Sequence, residues 1–341
     1  METRIIDYFA DKSVGNAAEL LRRGETVAFP TETVYGLGAN ALDPDAVAKI
    51  YAAKGRPSDN PLIVHIADTA QADELAEVSD LARQLMDAFW PGPLTLVLPA
   101  RPCIPRIVTG GLDTVGIRMP AHPAALLMLR EAALPIAAPS ANISGRPSPT
   151  TADHVAEDLS GRIPLIIDGG AAVSGLESTV LDLASPIPAI LRPGVITAEA
   201  LAPFIPGLSE ETRLPDGGIA RAPGMKYRHY SPRAQVILCP PGEIYSTYGT
   251  ALQQFYADEH NEGRDEPKIA VLATMQGLVG MAKAEHCFLL GENAEEAAQN
   301  LFAALRWTDE INADLVLAES FPEKGVGIAL MNRLKKAAGV L

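Results

Sequence analysis

The chain has little of what several protein classes require. Its three cysteines, Cys103, Cys239 and Cys287, are odd in number and far apart. That spacing excludes a disulfide framework and a paired-cysteine zinc site, and it points to a reducing compartment. Aromatic residues make up only 5% of the 341 positions, so the cores must be built mainly from Ala, Val, Leu and Ile. Positive charge is scarce: 28 Lys and Arg face 42 Asp and Glu, giving a net charge of −14. A protein that coats nucleic acid needs a basic surface, which weighs against that class but leaves room for a local basic pocket for phosphates. No apolar run approaches the roughly twenty residues of a membrane span. The first residues, METRIIDYFADKS, carry no signal-peptide pattern. The expectation is a cytoplasmic protein with no membrane contact.

Several motifs are also missing. Gly is nowhere followed by Lys, which excludes a Walker A loop. There is no Cys/His metal pattern and no Gly-x-Ser-x-Gly elbow, so no metal site and no hydrolase nucleophile is expected. The stretch Gly36-Leu37-Gly38-Ala39-Asn40-Ala41 fits a loose dinucleotide fingerprint. That motif joins a strand directly to a helix N-terminus, whereas here Pro30 to Tyr35 intervene and the helix starts only near Pro44.

What is present is a dense stretch from Phe29 to Ile66. An apolar run, Thr26 to Phe29, reads as a strand that opens into the polar turn Thr31-Glu32-Thr33. A helix follows, with Asp43 as N-cap, Pro44 at its first position and Gly55 at its end. Lys54, Arg56 and Asn60 crowd the next loop, and His65 lies in a second strand, Leu62 to Ile66. On one βαβ unit these residues outline a site for an anionic, hydrogen-bonding ligand. Each also has a bland reading: a cation is favoured in any helix's last turn, and a histidine in an apolar strand is commonly a core residue.

Downstream, helices are expected at Ser13 to Arg23, Leu81 to Trp90, Pro123 to Ala132 and Asp153 to Leu159. Strands are expected at Leu94 to Leu98, Val115 to Met119, Ile136 to Ala138, Leu165 to Ile167, Thr179 to Leu183 and Pro188 to Leu191. The alternation indicates an α/β sheet covered by helices. From about Leu208 to Arg233 periodicity fades, and Arg221, Lys226, Arg228 and Arg233 gather around Tyr227, His229 and Tyr230. Residues 234 to 341 read as a smaller α/β unit. Its strands are at Val236 to Leu238, Ile269 to Leu272, Phe288 to Leu290 and Leu315 to Leu317, with an Asn293-capped helix and a closing helix from Ile328 to Ala337. The cations Lys54, Arg56, Arg118, Arg146 and Arg192 all stand beside Pro or Gly turns. Such groups neutralise charge in phosphoryl or nucleotidyl transfer, so the residues alone point to a nucleotide-using enzyme without a P-loop.

Four segments carry a resemblance. KGRPSDNPLIVHI (Lys54 to Ile66), VGIRMP (Val115 to Pro120), APSANISGRPSPT (Ala138 to Thr150) and ESTVLD (Glu177 to Asp182) closely resemble the YrdC-like family. APGMKYRHYSP (Ala222 to Pro232) and the trailing domain are similar to that family's longer, two-domain form, so the resemblance covers essentially the whole chain. It implies an α/β fold: an open, twisted, YrdC-like sheet domain with a large cavity (1–208), a linker or lid (209–233) and a smaller Rossmann-like domain (234–341).

The implied activity is L-threonylcarbamoyladenylate synthesis from L-threonine, bicarbonate or CO2, and ATP, with Mg²⁺ carried by the nucleotide. The product would go to a separate transferase that modifies a tRNA adenosine beside the anticodon, and a weak tRNA contact is expected. By resemblance, threonine would be held by Thr33, His65, Arg118, the backbone at Ala138, and Ser178. ATP would contact Arg56, Asn60, the backbone near Thr114, Ser140, Ser148, Arg192 and Tyr230. Lys54 and Arg56 would carry catalysis by stabilising negative charge. The alternatives are an RNA-binding module of the same fold and a related carbamoyl-adenylate-forming enzyme; the latter carries paired cysteines that this chain lacks.

Overall fold

The computed structural model describes residues 2–10, 13–210, 221, 223, 229–257, 267–281 and 284–340. Backbone contacts divide the chain into Met1–Ser144 with Ser148–Tyr227, and Gly145–Pro147 with Arg228–Leu341. Most of the expected linker, including Lys226, Tyr227 and Arg228, lies outside the described residues.

The first unit holds strands β1 (Arg4–Asp7), β2 (Val27–Phe29), β3 (Gly36–Asn40), β4 (Ile63–His65), β5 (Leu94–Pro99), β6 (Thr114–Arg118), β7 (Ile136–Ala138), β8 (Leu165–Asp168), β9 (Thr179–Asp182), β10 (Ala189–Arg192) and β11 (Ser209–Glu210). They form one mixed sheet in the order β1-β8-β2-β3-β7-β4-β6-β5-β9-β10-β11. Alternate residues along a strand point to opposite faces, and the cores follow that rule. Ala28, Ala137 and Ile166 join one cluster, with Val47 and Ile50 of the helix Pro44–Lys54 and Leu85 of the helix Asp80–Phe89. Their neighbours Val27, Phe29, Ile136, Leu165 and Ile167 join a second cluster, with the helices Ser13–Arg22 and Pro123–Ala132.

One sequence reading is corrected here. The stretch after Phe29 is not a simple strand–helix–strand unit, because β3 and β7 lie between β2 and β4. The glycines at 36 and 38 belong to β3, which pairs antiparallel with β2. Their reason is crowding: a Cβ on Gly38 would lie 2.6 Å from Ile136 Cγ2 and 2.8 Å from Phe29 Cε1. The helix signals after them hold. Asp43 Oδ1 accepts the N–H groups of Asp45 and Ala46 at 3.0 and 3.2 Å, and Gly55 ends the helix at φ 61°.

The second unit is a parallel sheet of β12 (Gln235–Cys239), β13 (Ile269–Thr274), β14 (His286–Gly291) and β15 (Leu315–Glu319), in the order β12-β15-β13-β14. Its helices are Ile244–Ala257, Ala294–Glu310 and Val326–Ala337. The second starts as its sequence indicates: Asn293 Oδ1 accepts the Glu296 N–H at 2.9 Å, and Glu296 Oε2 accepts the Glu292 N–H at 3.0 Å.

Candidate active site

The site is arranged along β6. β4 lies parallel to it, with Ile63 opposite Gly116 and His65 opposite Arg118. β7 runs antiparallel to β4, with Ala138 opposite Ile63 and Ile136 opposite His65. Pro61, Thr114 and Ser140 therefore gather at one end, and His65 and Arg118 at the other. Four strand steps separate Thr114 from Arg118, about 13 Å at the usual rise.

At the first end Lys54 is 1% exposed. Its ammonium donates to the carbonyl oxygens of Ser140 (2.5 Å) and Asn142, and to Asn142 Oδ1 (3.4 Å). Ser140 Oγ donates to Asn142 Oδ1 at 2.5 Å, and Ser144 N donates to the Lys54 carbonyl at 3.0 Å. Lys54 thus fixes the shape of the 140–144 loop while placing a buried positive charge beneath it. Arg56 Nη2 donates to the Pro61 carbonyl at 3.1 Å, and Tyr51 Oη to those of Asn60 (3.2 Å) and Ile107 (2.9 Å). Burial pushes the Tyr51 hydroxyl up to about 12, so it stays a donor. The side chain of Asn60 is buried, and its Oδ1 has no hydrogen-bond partner among the described residues.

At the second end the Arg118 guanidinium is buried. Nε donates to the Gly92 carbonyl at 3.2 Å and Nη1 to Thr33 Oγ1 at 3.0 Å, while Nη2 lies 2.7 Å from Glu32 Oε1. Thr33 Oγ1 also meets Thr31 Oγ1 at 2.8 Å. His65 packs its ring edge-on against Phe29 with centroids 5.9 Å apart, and Nδ1 lies 3.2 Å from the Ile63 carbonyl. Burial, reinforced by the Arg118 charge, pushes the imidazole down to about 3, so it is neutral near pH 7. Ser178 Oγ meets Thr95 Oγ1 at 2.8 Å, and Ser148 Oγ donates to Glu177 Oε1 at 2.5 Å. Arg192 Nη2 donates to both the carbonyl and the hydroxyl oxygen of Ser178, at 3.0 and 3.1 Å.

The expected residues are therefore sorted by place. Lys54, Arg56, Asn60, Thr114 and Ser140 share one end of β4 and β6. His65 and Arg118 share the other, and Thr33 joins them through Arg118. Ser178 and Arg192, expected on different ligands, are bonded to each other. Tyr230 belongs to the second unit, where its ring lies 5.2 Å from that of Phe302.

Sequence reasoning missed four partners: Glu32, Thr95, Asn142 and Glu177. Glu32 and Glu177 are two among 42 acidic residues, and nothing in their spacing marks them. Asn142, two places after Ser140 in a polar loop, was the most accessible signal.

Fold and site together define an α/β protein in which buried cations gather at strand ends and loops, without a P-loop. The Sua5/YciO/YrdC family profile, described as "Telomere recombination", matches residues 19–194, and a profile described as "Threonylcarbamoyl-AMP synthase, C-terminal domain" matches residues 196–339. A threonylcarbamoyl-AMP synthase of Pyrococcus abyssi is 50% identical over 95% of this chain and 93% of its own. One from Bacillus subtilis is 51% identical over 96% of this chain and 94% of its own. A crystal structure of P. abyssi Sua5 complexed with L-threonine superposes with a TM-score of 0.90 at 47% identity, covering 100% of this chain and 98% of that one. The chain belongs to the threonylcarbamoyl-AMP synthase family.

Proposed function

We propose that this chain is an L-threonylcarbamoyladenylate synthase, a nucleotidyltransferase that joins L-threonine, bicarbonate or CO2, and ATP into threonylcarbamoyl-AMP and releases pyrophosphate. The likeness to synthases along nearly the whole chain supports the activity. The geometry supports the division of labour, and the observation that carries it is the Arg192–Ser178 contact. Through it, a residue assigned to threonine and a cation assigned to the nucleotide meet at one point.

Threonine's carboxylate is assigned to Arg118, whose planar fork suits it. Its polar groups are assigned to Thr33, Ser178 and neutral His65, beside the Ala138 backbone. ATP is assigned to Arg56, Asn60, Thr114, Ser140, Ser148 and Arg192. The deprotonated amine adds to CO2 to give a carbamate. A carbamate oxygen then attacks the α-phosphorus in line, and pyrophosphate departs. Lys54 and Arg56 stabilise the charge on the phosphates, so catalysis is positioning plus electrostatics. Mg²⁺ would be carried by the nucleotide's own phosphates. The product is destined for a separate transferase acting on tRNA in the cytoplasm. Among the described residues no helix is long and apolar enough to cross a membrane.

The test follows pyrophosphate release from ATP, Mg²⁺ and bicarbonate, with and without L-threonine. Threonine- and bicarbonate-dependent release, with a product of threonylcarbamoyl-adenylate mass, is the expected result. ATP turnover indifferent to threonine would overturn the proposal.

A further inference from the structure

Glu32 stands next to Thr33 and is 7% exposed. Its Oε2 accepts the Ala121 N–H at 3.1 Å, and its carbonyl accepts the Ser174 N–H at 2.7 Å, so both the residue and its side chain are held in place. Its Oε1 lies 2.7 Å from Arg118 Nη2, close enough for an ion pair. The contact is not an aligned hydrogen bond, however. Among the described residues, Glu32 Oε1 and Arg118 Nη2 are both buried without a hydrogen-bond partner. A buried acceptor and a buried donor thus lie 2.7 Å apart without an aligned hydrogen bond between them. Buried polar atoms in this condition are uncommon and call for a reason.

An α-amino acid offers a partner to each at once. Its carboxylate oxygen is an acceptor for Arg118 Nη2, and its ammonium is a donor for Glu32 Oε1. The charges also balance. Glu32 and Arg118 together are neutral, and so is a zwitterion, so binding adds no net charge to a site where unpaired charge is costly. A carboxylate alone would leave the Glu32–Arg118–ligand group with an uncompensated negative charge.

We propose that Glu32 receives the substrate's ammonium group and, paired with Arg118, selects a zwitterionic amino acid over a simple hydroxy acid. This rests on the reading of Arg118 as the carboxylate's partner. It makes Glu32 a specificity-determining residue that touches the atom from which the carbamate is later built.

The test compares two ligands by calorimetry in the absence of ATP: L-threonine, and the 2,3-dihydroxybutanoate of the same configuration, which carries a hydroxyl in place of the ammonium. The full-length protein is expected to bind threonine more tightly by about ten- to a hundredfold, the range for a buried hydrogen bond to a charged group. Glu32→Gln keeps an acceptor for Ala121 and is expected to lose that preference. Equal binding of the two ligands by the unsubstituted protein would overturn the proposal, whether or not Glu32→Gln folds. Equal weakening of both ligands in Glu32→Gln would overturn it too, leaving Glu32 as a support for Arg118. Arg118→Met separates the underlying reading: it is expected to lose both ligands, and unchanged binding of both would remove Arg118 from the carboxylate site.

Discussion

Both units bury arginines, but in different settings. In the first, Arg118 and Arg192 close the strands β6 and β10, and their donors meet hydroxyls, carbonyls and one carboxylate. In the second, Arg306 and Arg333 lie inside helices and are 1% and 0% exposed. Arg306 Nη2 donates to the Pro147 carbonyl at 2.7 Å; Arg333 Nη1 donates to Asn332 Oδ1 at 3.3 Å, and its Cζ lies 5.8 Å from the Tyr230 ring centroid. A strand end leaves the guanidinium beside loops whose hydroxyls and backbone a ligand can also use. On the helices the guanidinium instead meets a backbone carbonyl, an amide oxygen and an aromatic ring. Burial alone does not separate the two roles, whereas the chemistry of the surrounding acceptors does.

That contrast breaks if site and scaffold cations respond alike. The largest effect is expected at Lys54→Met, which leaves the Ser140 and Asn142 carbonyls without their donor. At about 1–3 kcal/mol for each unsatisfied buried group, stability should fall by several kcal/mol in urea. Pyrophosphate release should drop by at least about a hundredfold, as for loss of a preorganised charge. An unchanged unfolding midpoint would show that Lys54 does not hold the loop. Arg333→Met should lower stability by about 2–4 kcal/mol and leave threonine affinity in calorimetry unchanged. A loss of threonine binding there would erase the distinction between the units.

A smaller effect follows from His65. Its folded pKa, about 3, lies below the unfolded value near 6.5. Between these values the unfolded chain binds the extra proton, so this contribution is complete above about pH 6.5 and is lost as pH falls toward 3. His65→Gln should flatten the decline of stability between pH 6.5 and 4, measured by thermal unfolding. An unaltered slope would mean that the imidazole is not held neutral by burial. The smallest effect is expected at Asp43→Ala, which removes a helix cap: about 1 kcal/mol, with turnover intact.

Much of the fold was legible because its signals are local. Asp43-Pro44 and Gly55 bracket a helix by capping chemistry, and Asn293 with Glu296 opens another. The strand β3 was hidden because glycine is a poor strand former; only the tertiary crowding by Phe29 and Ile136 explains its glycines. The helix Ile244–Ala257 escaped notice because its apolar face is shallow, with Ile244 as its one buried residue. For the site, Pro- and Gly-flanked cations pointed to phosphate chemistry, but the sorting of Thr33, His65 and Ser178 toward one ligand came from resemblance. Their true neighbours are 85 residues apart for Thr33 and Arg118 and 83 for Thr95 and Ser178, distances no sequence window spans.

The most direct measurement is the steady-state KM for threonine and for ATP in Ser178→Ala, which removes the hydroxyl that meets both Arg192 and Thr95. One joined site predicts that both KM values rise and kcat falls. A rise confined to the threonine KM, with kcat and the ATP KM unmoved, would contradict it and separate the two ligands' sites.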